Sequence, residues 1–177
     1  MSTRVRLLRR NRSGSAAVEM ALVMPFLLAV MFGSAEIGNY FMNEHSLIKA
    51  VRDGARYAAR RPFSDYTACN TVSGALVTDT QNVVMNGYLS TGSITIPNIS
   101  AGNVTVTTTC TGTAGGQNML GIYRNRGPVC GGGATAGCAQ VVTVSAQVPY
   151  RSILGSLGFS GIGMNINAAS QAAVGGI

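Results

Sequence analysis

The sequence predicts an α+β chain: a long N-terminal helix, first transmembrane and then amphipathic, followed by a globular head of a small helix plus an antiparallel sheet. Three observations predict it. Twenty residues from Ala16 to Ala35 carry one charge, Glu19, and directly follow five arginines. Helical composition then persists without a Pro or Gly-rich break until Arg61-Pro62. Farther along, NVTVTTTC from Asn103 and QVVTVSAQVPY from Gln140 alternate Val with Thr, Ser or Gln, as half-buried strands do. A chain of 177 residues holds one modest domain beside such an anchor, and no second enzyme-sized core. The expected organisation is a basic segment 1–14, a spanning helix 15–36, an amphipathic extension 37–61 and a head 62–177 containing a Gly-rich loop at 111–139.

The basic segment comes first. Arg4, Arg6, Arg9, Arg10 and Arg12 supply five of the formal +7 charges, so that without them the balance falls to +2. That is too little for a polyanion-binding surface, and nucleic acid is not expected as a partner. Arginines beside an apolar run act instead as a topology signal: they stay on the cytoplasmic side while the rest of the chain is exported. The run from Ala16 to Ala35 matches a hydrocarbon core of about 30 Å. A cleaved secretory signal is the competing reading, but the apolar run is long and no convincing A-x-A site closes it. The lipid bilayer is therefore an expected partner.

Glu19 and Pro25 are the two odd residues of the span. A lone carboxylate at the edge of a membrane segment costs about 2.5 kcal/mol or more unless it is paired, protonated or hydrated. Pro25 deletes one backbone hydrogen bond and is expected to bend the helix, which membrane helices tolerate.

With Gly14 five residues before Glu19, the stretch RSGSAAVEMALVMPFLL resembles the processing site of type IV prepilins. VEMALVMPFLLAVMFGSAEIGNYF followed by AVRDGARYAAR resembles the TadE-like family, minor pilins or pseudopilins of tight-adherence (Tad/Flp) systems; the likeness spans residues 12 to 61. Met20 departs slightly, since many prepilins carry Phe there. The resemblance implies a leader ending at Gly14, cleavage by a prepilin peptidase to leave Ser15 as the new terminus, and Glu19 as an assembly carboxylate. It also implies other Tad pilins and an inner-membrane assembly platform as partners, a role in pilus assembly or initiation and adherence, and no enzymatic activity. A single-span exported binding protein and a pseudopilin of another secretion machine remain the alternatives.

Past the span, Ile37, Phe41, Glu44, Ile48, Val51, Ala55 and Ala58 recur at steps of four and three, marking one face of the amphipathic extension. This face is expected to pack on the chain's own head rather than on other subunits. Lys49 and Asp53, four apart, are candidates for a weak ion pair. His45 reads as a surface residue.

In the head, residues 66 to 90 predict a helix turning Leu76, Val83, Val84 and Leu89 inward. Ile94 to Ile96 and Met164 to Ala169 are weaker strand candidates beside the two Val-rich ones. Cys69, Cys110, Cys130 and Cys138 all follow the span, in an oxidising compartment, and predict two disulfides. Three pairings are possible; the eight-residue spacing of Cys130 and Cys138 favours a local loop and leaves Cys69 with Cys110. The sole histidine and the absence of a CxxC pair speak against a zinc site, and the Gly-rich loop lacks the Lys-Ser/Thr ending of a phosphate cradle. No cofactor and no catalytic residue are expected, because no nucleophile comes with a base.

Overall fold

The computed structural model describes residues 13–66, 69–90, 92–111, 113–114, 117–118, 139–156, 158 and 163–176. The chain divides into two compact units, Met1–Asn39 with Ser152–Ser160, and Tyr40–Arg151 with Gly161–Ile177. Helix α1, Ser13–Ala59, runs through both.

In the first unit α1 exposes large apolar side chains on every side, and Pro25 lies within it without ending it. Ser34 Oγ donates to the Met31 carbonyl at 2.9 Å, which satisfies a hydroxyl among apolar neighbours. The segment contributed from farther along the chain holds a four-residue helix, α3, Ile153–Ser156.

The second unit is an α+β head. Its main sheet is built from three strands, β1 Val104–Thr111, β4 Ala139–Pro149 and β5 Asn165–Ala173. They are antiparallel and lie in the order β1-β4-β5. The Val/Thr alternation becomes a two-faced sheet. Val106 stands opposite Val144, and Val148 opposite Ile166, on the face turned to the core. Thr105, Thr107 and Thr109 point the other way and are exposed. This one-sided burial is what an antiparallel sheet with water on one face requires.

The core joins this sheet to two helices. Leu47, Val51, Ala55 and Ala58 of α1 are buried together with Leu76 and Val84 of helix α2, Gly74–Asn86, and with Val142 and Val144. The packing is close at Gly54, where a Cβ would run into Val84 Cγ2. The inward face of α1 thus lies at 40, 44, 47, 51, 55 and 58. Ile48 is only half-buried, while Ile37 and Phe41 are exposed. The predicted stripe is right at Glu44 and from Val51 onward and wrong at Ile37, Phe41 and Ile48, because a step of three back from Val51 lands on Ile48, one position off the true inward face. The ion pair seen at Asp53 is with Arg56 at 3.9 Å, on the water-facing side, in place of the Lys49 pairing expected.

Helix α2 is shorter than the 66–90 span predicted. Ser73 Oγ accepts from the Leu76 N–H at 3.3 Å and caps the start; Gly87, at φ 76°, ends the helix in the left-handed region. Leu89 therefore falls beyond the helix and is exposed, and Val83 is half-buried. The inward positions go to Leu76, Val84, Asn86 and Thr80, whose hydroxyl donates to the Leu76 carbonyl at 2.7 Å.

Residues 94–96 do not form a strand. Thr95 N–H donates to the Met85 carbonyl at 3.0 Å rather than to a ladder, and Pro97, which has no N–H, leads into Asn98 at φ 63°. Ile96 still reaches the core from this turn, whereas Ile94 is exposed. Strand β5 runs four residues past the predicted Ala169, because β4 continues to offer it partners as far as Val141 opposite Ala173. Within the Gly-rich segment, β2 Thr113–Ala114 pairs with β3 Gln117–Asn118.

Candidate functional site

Of the residues singled out in sequence, Gly14, Ser15 and Glu19 lie in the first turns of α1. All three are exposed, and nothing lies within 4 Å of the place a Cβ would take on Gly14. Helical spacing sets Ser15 and Glu19 one turn apart on one face. Arg4, Arg6, Arg9, Arg10 and Arg12 lie outside the described residues, as do Cys130 and Cys138.

Beyond Glu19 the helix presents Leu22, Val23, Phe26, Leu27, Val30 and Met31, all exposed; Phe26 keeps 74% of its surface and Val30 71%. A fully apolar circumference with no protein against it is stable in lipid and costly in water. Among the described residues, α1 is the one helix long and apolar enough to cross a membrane.

Glu36, the first acidic residue after the apolar run, was not singled out in sequence. Its Oε2 accepts hydrogen bonds from the backbone N–H groups of Ile153 at 3.0 Å and Leu154 at 3.1 Å, the opening donors of α3. Ser152 Oγ accepts from Gly155 N–H at 2.9 Å. A span of 117 residues separates Glu36 from Ile153, so no local pattern announces the contact. The available hint was compositional: Glu36 closes an apolar run, and the stretch from Ser152 to Ser160 carries no charge.

Polar organisation in the head is structural. A disulfide joins Cys69 to Cys110, tying the connection after α1 to the end of β1. Tyr66 OH donates to the Ala58 carbonyl at 2.6 Å, filling one of the open acceptors at the end of α1. Burial, with the nearby Asp65 charge adding to it, raises the Tyr66 phenol well above its ordinary value. Tyr57 is raised too, by burial and then by its hydrogen bond to Asp79 Oδ2 at 3.1 Å. Arg61 Nε donates to Asp65 Oδ2 at 2.9 Å, which raises the guanidinium in turn. Gln140 is fully buried with no side-chain hydrogen-bond partner among the described residues. Among those residues no three His, Cys, Asp or Glu side chains are grouped to hold a metal.

An apolar helix of spanning length joined to a small α+β head defines a class of proteins with a candidate membrane anchor at one end of a small domain. Within that class, residues 14–56 match the model of the TadE-like protein family, so the resemblance seen in the sequence holds over this helix. The match starts at Gly14 and ends among the core positions of α1. No curated protein and no solved structure matches the chain.

Proposed function

We propose that this chain is a pilin-like minor subunit of a Tad/Flp-type pilus or secretion system, a structural component rather than an enzyme. The observation that carries the reading is the TadE-like match over 14–56, on a helix whose first half exposes apolar side chains all round. In this reading a prepilin peptidase cuts after Gly14 and removes the arginines. The chain stays in the inner membrane with its head outside the cytoplasm, and it meets other Tad pilins and the assembly platform there. Its role is in pilus assembly or initiation and in surface adherence.

The chemistry of the step is simple. Cleavage turns the Gly14–Ser15 amide into a carboxylate on the leader and an ammonium on Ser15. In a medium of low dielectric that ammonium pairs with the Glu19 carboxylate of a neighbouring subunit, which fixes register more than it adds stability. Glu19→Ala is expected to leave membrane insertion intact and to abolish incorporation; normal incorporation of the variant would remove this role. The test of the whole reading is N-terminal sequencing of the protein extracted from membranes of a host with a Tad system. A start at Ser15 supports it. An intact arginine leader would favour a single-span exported binding protein instead.

A further inference from the structure

Glu36 and the short helix α3 lie outside the Gly14–Glu19 pattern. The twenty residues 16–35 rise about 30 Å, one hydrocarbon thickness, so Glu36 stands where the helix leaves the apolar layer. At that level its carboxylate takes the N–H groups of Ile153 and Leu154, 3.0 and 3.1 Å away. Ser152–Ser160 belongs to the same compact unit as the apolar part of α1 and contains no charged residue. Ile153 keeps 45% of its surface exposed, a partly open apolar side chain.

We propose that the turn at 152–156 is a second membrane contact, lying at the headgroup boundary of the bilayer and clipped to the spanning helix by Glu36. The inference rests on α1 being the anchor. Its occupant is lipid, because the exposed Ile153 sits on the turn held by Glu36 at the end of the apolar run that would lie in the bilayer. Two physical costs explain the arrangement. Unpaired backbone N–H groups are expensive next to hydrocarbon, and Glu36 covers the two that open α3. A carboxylate at the membrane edge is also expensive unless paired, and the same two bonds partner its Oε2. The clip thus lets a loop from between β4 and β5 and an acid on α1 share the boundary.

The chain contains no tryptophan, so a single introduced Trp reports its own position. The full-length protein is reconstituted in vesicles of brominated phosphatidylcholine with Trp at Leu28 (L28W), Ile153 (I153W) or, on the exposed sheet face, Thr107 (T107W). Emission from L28W and I153W is expected to be quenched and blue-shifted, and that from T107W is not. Glu36→Ala should abolish quenching at I153W and leave L28W unchanged. If L28W is quenched while I153W behaves like T107W, the turn is in water or under protein and the inference falls, leaving the anchor in place. An unquenched L28W overturns the anchor and this inference together. Persistent quenching of I153W in the Glu36→Ala background removes Glu36 as the clip. Gly155→Trp, an exposed position on the same turn, provides the reading if Ile153→Trp does not fold.

Discussion

Helix α1 is one element with two kinds of surroundings. Before Asn39 its large side chains are exposed on all sides; after Met42 its exposed positions carry His45, Lys49 and Arg52, and Leu47, Val51, Ala55 and Ala58 disappear into a core. Helix formation is common to both halves, so backbone propensity does not explain the difference. What differs is the medium each side-chain pattern suits. An all-round apolar surface suits lipid, whereas a single stripe suits one protein face with water behind it.

This comparison can be broken most directly by Leu→Ala changes in the two halves. Leu47→Ala should cost the head about 2–5 kcal/mol, as buried leucine truncations do, and Leu27→Ala should cost it nothing measurable. Denaturant unfolding of the detergent-solubilised protein, followed by tyrosine signals, reads both; equal losses would make the two halves alike. Next in size is the Cys69–Cys110 bridge, which closes a loop of 41 residues' separation. Its removal by the paired Cys→Ser variant should lower head stability by about 2–4 kcal/mol and leave membrane extraction behaviour unchanged.

Smaller effects sharpen the picture where α1 ends. Tyr66→Phe deletes the bond to the Ala58 carbonyl and should cost about 1 kcal/mol at neutral pH. The variant should also change the alkaline limb. A phenol raised in the folded state favours the neutral form there. Its contribution is fully present below the ordinary tyrosine value of 10.0 and is lost as pH rises toward the higher folded value. Unfolding midpoints measured as pH rises from 10.0 toward the folded value should therefore fall less steeply in Tyr66→Phe than in the parent. Ser73→Ala, which removes the cap of α2, should cost about 0.5–2 kcal/mol in the same unfolding experiment.

The long helix, the two Val-rich strands and the apolar run were legible because each rests on a local period. Where two periods overlap by one residue, local pattern misleads: only a partner surface decides that Leu47 rather than Ile48 faces inward. The strand expected at 94–96 fails for the same reason, since an Ile-Thr-Ile triplet fits a strand until Pro97 denies it a ladder bond. Strand β5 extends past its sequence signal because Ala, Ser and Gln are weak strand formers, and its pairing with β4 supplies what propensity lacks. For the site, Gly14 and Glu19 were visible as a spacing. Glu36 was not, because its partners lie 117 and 118 residues away.

The head's parts are synthesised in an order that delays its closure. β5 is the last strand of the sheet, Val174 beyond it is fully buried, and Gly175 N–H reaches the Ala59 carbonyl at 2.8 Å. A ribosome delivers Ala59 more than a hundred residues before the group that seals it. Until then the core around Leu47 and Val51 lacks its β5 side, and such distant pairings form slowly. The head is therefore complete only when nearly the whole chain has been made.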